Sequence, residues 1–175
     1  MSVRLGLLAV LAEGEAHGYE LKTQFERRTS GSWALNIGQV YTTLQRLERD
    51  GFVEPLPAEG DRHEYRITDA GRTELDAWFA TPVVPEGPAR DELTIKVLLA
   101  VASADVDVSE LLQRQRRASI EQLQAYTRRK AQADPEQDVV FLILLDALIF
   151  RTEAEVRWLD ASDARIKQLA LRSIR

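Results

Sequence analysis

Between Asn36 and Arg49, the side chains able to exchange hydrogen bonds recur on one side of a helical wheel. If Val40, Leu44 and Leu47 face a core, then at about 100° per residue Gly38, Thr42, Gln45 and Arg49 point away from it, flanked by Gln39, Tyr41 and Arg46. Uncharged groups gather toward the N-terminus of this stretch and arginines toward its C-terminus. Amides and hydroxyls can bond to base edges in a major groove, and arginines can reach phosphates or guanine. On this reading Gln39, Thr42 and Gln45 meet bases, while Tyr41, Arg46 and Arg49 meet phosphates and Asn36 lies close enough to join them. A solvated helix face, which also carries Gln, Thr and Arg, is the plain alternative. A second basic pair, Arg62 and Arg66, alternates with Glu64 beyond a turn at Gly60. Arg62, nearer the tip, suits a contact to phosphate or minor groove. Surface ion pairing worth less than ~1 kcal/mol is the alternative there.

Other chemistries lack their residues. The chain has no cysteine, which excludes disulfides and thiolate metal sites, and its two histidines, His17 and His63, fall in different elements. Neither a phosphate-binding glycine loop nor a G-x-S-x-G elbow is present, and Ser30-Gly31-Ser32 reads as a turn. No catalytic residue, cofactor or metal is therefore expected, and the chain does not read as an enzyme.

The elements that must hold the polar face follow from periodicity and stop signals. Val3, Leu7, Leu8 and Leu11 fall at helical spacing, with Gly14 placed to end that helix. A second helix runs from Gly18 to about Thr29, with Tyr19, Leu21 and Phe25 on its apolar side and Gly31 as its stop. Asn36 and Gln39 have the form of a capping box, and Val40, Leu44 and Leu47 then recur at i, i+4, i+7 up to Gly51. This predicts a third helix from about Ile37 to Asp50. The short runs 52–56 and 62–67 flank a turn and predict a hairpin with His63, Tyr65 and Ile67 on its inner side. Thr68 and Asp69 can cap a fourth helix, in which Leu75, Trp78 and Phe79 form an apolar cluster. Pro82, Pro85 and Pro88 mark a linker over 81–90 between a unit at 1–80 and a helical unit at 91–175. Helices are expected there from about Asp91 to Ala102, from about Ser109 to Lys130, and from about Pro135 through Trp158 with its end left open beyond that residue. The fold class is mainly α with a small β-hairpin. Helix, helix, helix, hairpin, helix is the order of a winged helix-turn-helix, followed by an all-helical dimerisation half.

Composition bounds this reading. With 45% apolar and 29% charged residues over 175 positions, a packed fold is expected. The most apolar window, 139–150, has 11 apolar residues of 12 and Asp146 inside it, well short of the ~20 needed to span a bilayer. No export signal is evident, so a cytoplasmic protein without a membrane partner is expected. The net charge is −5, and residues 1–80 carry nine Lys and Arg against thirteen Asp and Glu. That balance argues against nonspecific coating of nucleic acid and leaves the placement of each cation to decide the matter.

Three blocks carry a resemblance to a known family: His17-Gly18-Tyr19-Glu20-Leu21; Gly38-Gln39-Val40-Tyr41 through Leu44-Gln45-Arg46-Leu47-Glu48 to Gly51; and Arg62-His63-Glu64-Tyr65-Arg66-Ile67-Thr68 to Gly71-Arg72. In order and spacing they resemble the PadR family of regulators, with Thr42 standing where many members have proline. Beyond residue 80, Arg90-Asp91-Glu92-Leu93 opens the helical half, and Glu155-Val156-Arg157-Trp158-Leu159 is similar to the family's last helix. The resemblance implies a dimeric winged-helix repressor whose C-terminal helices pair the subunits on a pseudo-palindromic operator of double-stranded DNA. A pocket near the dimer seam is open to a small-molecule effector, with Asp146 and Trp158 as its candidate residues. Against these stand a rim position for Asp146 and plain interface packing for Trp158. A winged-helix module that holds a protein partner rather than an operator is the alternative function, which the acidic first half makes thinkable.

Overall fold

Apolar residues at i, i+4, i+7 can be hidden only if each helix lays that stripe against others, and the first unit is assembled on this principle. The computed structural model of the chain describes residues 3–57, 63–84, 87 and 91–173. It divides into two compact units, Met1–Val84 and Pro85–Arg175. In the first, helices α1 (Val3–Leu11), α2 (Gly18–Arg28), α3 (Ile37–Arg49) and α4 (Asp69–Ala80) accompany strands β1 (Ala16–His17), β2 (Val53–Pro55) and β3 (Glu64–Ile67). Leu7, Leu8, Leu11, Leu21, Val40, Leu44 and Leu47 are buried almost completely in one core, which Val53, Tyr65, Ile67 and Leu75 close from the strands and α4. With four helices and the winged sheet in this order, the unit is a winged helix-turn-helix.

The sheet has three strands in the order β1-β3-β2, all antiparallel. Ala16 lies opposite Tyr65, and Val53 opposite Ile67, so these four buried residues form the inner face. Glu54 and Arg66 pair on the outer face. Strand β1 has only two residues and was not expected from the sequence. His63, expected inward with Tyr65 and Ile67, is exposed, because it precedes the paired stretch. Residues 58–62, which include the Gly60 turn and Arg62, lie outside the described residues.

Helix ends are fixed by local hydrogen bonds. Gly51, at φ 78°, closes α3: its N–H donates to Glu48 O, and the Phe52 N–H reaches back to Leu47 O at 2.9 Å. The Thr68 hydroxyl then donates to Gly51 O at 2.7 Å and accepts from Gly71 N, linking the end of α3 to the start of α4. The same closing motif ends α2, where the left-handed residue is Ser30, at φ 51°. Its N–H donates to Arg27 O, and Gly31 N reaches Glu26 O at 2.7 Å. Gly14 does not end α1 in this way: the helix stops at Leu11, and Gly14 has no positive φ. Trp78 and Phe79 also depart from expectation. Leu75 alone of that trio is buried, whereas the two rings are exposed and lie against each other with centroids 4.8 Å apart.

The second unit is helical: α5 (Glu92–Val101), α6 (Val108–Gln132) and α7 (Val139–Ser173). The last helix begins at Val139, four residues beyond the expected start, because Asp134 folds the preceding segment into a turn by accepting from Glu136 N and Gln137 N. Val97, Leu112 and Leu159 form a small core, and Trp158 packs on it. Beside it, polar side chains bridge α6 and α7. The nearly buried Asp163 accepts from Ser109 Oγ at 3.0 Å, Gln113 Nε2 at 3.2 Å and Lys167 Nζ at 2.7 Å. Glu155 accepts from Gln115 and from the buried Ser119. No described helix is long and apolar enough to cross a membrane.

Two outcomes follow. Ser30→Gly should raise stability by about 0.5 to 1 kcal/mol, read from thermal or urea unfolding, since glycine takes the left-handed conformation without the Cβ clash. The bond from Lys167, reinforced by Ser109 and Gln113, holds the Asp163 carboxyl below its ordinary value of 3.8 against the opposing effect of burial. A depressed folded-state value stabilises above the ordinary value and is lost as pH falls below it. Asp163→Ala should therefore cost about 1 to 3 kcal/mol at neutral pH. The gap between variant and parent should narrow in unfolding curves taken below about pH 4.

Candidate nucleic-acid interface

Helix α3 is oriented by its apolar seam. With Val40, Leu44 and Leu47 fully buried, Asn36, Gln39, Tyr41, Thr42, Gln45, Arg46 and Arg49 are all exposed. The expected face therefore exists as one surface, but its members differ in how far their hydrogen-bonding capacity is already used. Asn36 is the N-cap, its Oδ1 accepting from Gly38 N at 2.8 Å. Gln39 does not return the second bond of a capping box, so its amide stays free of the helix end. Thr42 donates its hydroxyl proton to Gly38 O at 2.8 Å, which leaves the oxygen as an acceptor. Arg49 forks onto the neighbouring Asp50 carboxylate through Nε at 3.0 Å and Nη2 at 2.8 Å. The side chains of Gln39, Gln45 and Arg46 make no hydrogen bond or ion pair with any described residue, although the Gln39 and Arg46 carbonyls accept from Thr43 Oγ1 and Asp50 N.

Tyr41 has a further duty. A Cβ built on Gly18 would lie 2.7 Å from the Tyr41 ring, so the ring rests directly on the first residue of α2. The His17 Nδ1 caps that same helix by accepting from Glu20 N at 3.1 Å. His17-Gly18 and the α3 tyrosine, separate blocks in the sequence, thus form one contact that sets α2 against α3. Tyr65 lies behind them, its hydroxyl pushed above its ordinary range by burial and then by the nearby Glu48 and Tyr41.

On the wing, Arg66 is not a loose cation. Its Nε donates to Glu15 Oε1 at 2.7 Å, Nη2 sits 2.5 Å from the same oxygen, and Nη1 is 3.6 Å from Glu54. Glu15 first and Glu54 after it raise its pKa further, so the charge persists but is matched by two carboxylates. Arg62 lies outside the described residues. The sequence reading missed the Gly18–Tyr41 contact and the pairing of Arg66 with Glu15. The second joins residues 51 apart, and no local pattern signals it.

In the second unit, Asp146 is half-buried and accepts from Lys130 Nζ across the α6–α7 contact. Its carboxylate is thus neutralised within the chain, as a rim residue rather than a bare buried charge. Trp158 is half-buried against Leu112 and Leu159. The two lie about 18 Å apart along α7 by helical rise. An open cavity of about 460 Å³ in this unit is lined instead by Lys96, Asp105, Asp107, Glu110, Arg114 and Gln115, among others.

A winged helix-turn-helix with an exposed, amide-bearing third helix defines a transcriptional regulator of the nucleic-acid-reading class. Comparison with known proteins agrees. Residues 7–77 match the transcriptional regulator PadR-like family, and residues 89–167 match the family described as virulence activator alpha C-term. The chain is 27% identical to the negative transcriptional regulator PadR of Bacillus subtilis over 177 residues, covering 94% of this chain and 97% of that protein. It is 38% identical to transcriptional regulator Rv3488 of Mycobacterium tuberculosis over 77 residues, 42% of this chain and 69% of that one. The crystal structure of Bacillus subtilis PadR in complex with operator DNA superposes with a TM-score of 0.66 at 21% identity, over 95% of this chain and 99% of that one. The complex of the same protein with p-coumaric acid gives 0.69, at 21% identity over 94% and 98%. The chain belongs to the PadR-like family of transcriptional regulators.

A methyl group on Gly18 would push the exposed Tyr41 ring aside. Gly18→Ala should therefore displace Tyr41 and cost the first unit no more than about 1 kcal/mol in thermal unfolding, a partial offset coming from the better helix propensity of alanine. Adding Tyr41→Ala should cost less than the sum of the two single changes, because the clash goes with the ring.

Proposed function

We propose that the protein is an effector-responsive repressor that binds a pseudo-palindromic operator as a homodimer, with 1–80 as the DNA-binding domain, 81–90 as linker and 91–175 as the dimerisation domain. One observation carries this: on the exposed face of α3, the side chains of Gln39, Gln45 and Arg46 are spent on no described partner, while the groups around them hold the helix in place. The free side-chain amides of Gln39 and Gln45 suit base edges, and the free guanidinium of Arg46, next to Gln45, suits a phosphate or guanine. Gln39, Thr42 and Gln45 read bases. Tyr41, Arg46 and Arg49 position the helix on the backbone with Asn36 beside them, and Arg62 contacts phosphate from the wing. Arg66, matched by Glu15 and Glu54, is the weakest of the cations for this purpose.

The second unit supports pairing. Leu98 and Leu99 on α5, and Val140, Ile143 and Phe150 on α7, are exposed in the single chain, large apolar side chains that a second subunit would cover. Two half-sites held by one dimer gain affinity by tethering. The operator complex of Bacillus subtilis PadR supports the DNA reading, and its complex with p-coumaric acid supports a small-molecule effector. A repressor of this kind works where the chromosome is, in the cytoplasm, and needs no cofactor.

The test begins with genomic fragments selected by binding. Gln45→Ala should then weaken binding to the selected fragment by about 1 to 3 kcal/mol, with little change on a random duplex of equal length. Equal losses on both would assign Gln45 to the backbone, and binding without salt dependence would contradict a DNA-reading role.

A further inference from the structure

We propose that Glu26 is a positioning residue for operator recognition, its carboxylate fixing the backbone that delivers α3 to the DNA. The proposal rests on the reading of α3 as the helix that meets bases. Glu26 lies in the last turn of α2, half-buried. Its Oε1 accepts from Leu35 N at 2.9 Å, nine residues away and immediately before the N-cap Asn36. Lys22, one turn earlier on α2, donates to its Oε2 at 3.1 Å and sits 3.0 Å from Oε1, so the carboxylate is clamped from the other side. The Leu35 side chain is buried in the core.

Little else ties this turn. Between the left-handed Ser30 and Leu35, residues 31–34 are exposed, and the turn's described backbone bonds, Gly31 N to Glu26 O and Ser32 N to Thr29 O, both lie at its start. The buried seam sets which side of α3 faces out, and within that limit the Leu35 side chain and the Glu26 bond to the Leu35 N–H fix the chain as it enters the helix. Rotation matters because Gln39 and Gln45 must point into the groove within about 10 to 20°. The carboxylate is well suited to the task. The Leu35 N–H and the Lys22 ammonium together hold it ionised below its ordinary value. Because Lys22 matches its charge, it adds little repulsion toward phosphates.

Removal of the carboxylate should leave α3 folded on its seam but loosely aimed. A well-placed base contact is worth roughly tenfold to hundredfold in discrimination. Glu26→Ala should therefore lose about tenfold or more in affinity for the genomic fragment selected by the parent protein. On a random duplex of the same length it should lose less than about threefold, or gain slightly, because Lys22 is freed to meet phosphate. Glu26→Gln keeps an oxygen for Leu35 N and should bind the selected fragment within about threefold of the parent, a rescue that a purely electrostatic role would not allow. Thermal unfolding of each variant separates loss of aim from loss of fold. Parent-like binding by Glu26→Ala, or equal losses on both DNAs with no rescue by glutamine, would overturn the proposal. Gln45→Ala measured in parallel separates the two layers. If Gln45→Ala weakens fragment binding while Glu26→Ala does not, the positioning role fails alone. If Gln45→Ala is silent, the reading of α3 fails and the role of Glu26 with it.

Discussion

Everything in the first unit depends on the burial of Val40, Leu44 and Leu47 in one core. Each such side chain contributes on the order of 1.5 to 3 kcal/mol when fully removed from water, and rotating α3 by one residue would expose all three. The seam therefore fixes which side of the helix faces outward, and with it the set of groups available to a partner. The polar face costs nothing in stability because it consists of positions the core cannot use.

Around that seam, hydrogen bonds confine the remaining freedoms. Asn36 starts the helix, Gly51 stops it, and Thr68 connects its end to α4. Gly18 brings α2 close enough to rest on Tyr41. The same economy applies to charge. The first unit is acidic overall, yet much of its acid is committed to its own cations: Glu26 to Lys22, Glu13 to Arg28, and Glu15 and Glu54 to Arg66. Arg46 stands outside these pairs. The end of α3 carries Arg46 and Arg49 against Glu48 and Asp50, so it is charge-balanced, and what it offers a phosphate is the unpaired Arg46 guanidinium, because exposed matched pairs contribute little to the field beyond a few ångströms.

The parts legible in the sequence were those whose cause is local. The bounds of α3 followed from a cap, a seam at i, i+4, i+7 and a stop glycine, and the N-cap role of Thr68 from its residue type and place. What escaped was set by distant partners. The two residues of β1 are too few to show a period, and pairing with β3 alone makes them a strand. The apolar types of Trp78 and Phe79 implied burial, but only one face of α4 meets the core, and Leu75 occupies it. Asp146 drew attention through its apolar neighbours, yet Lys130 on another helix neutralises it, while the more buried carboxylate, Asp163, sits in a polar stretch that marked nothing. At the candidate site, the identities of the exposed side chains could be read in advance. Their availability could not, since that depends on which neighbours already hold them.

The central claim is that amides on α3 touch particular base pairs, and a thermodynamic cycle between side chain and base tests it directly. Affinities would be measured for the parent and for Gln39→Ala and Gln45→Ala against an operator half-site altered one base pair at a time. Direct contact predicts that each alanine variant loses sensitivity at one or two adjacent base pairs and keeps it elsewhere, with a coupling of about 1 to 3 kcal/mol at those positions. Uniform sensitivity across the half-site for both variants, with no coupled base pair, would contradict the claim.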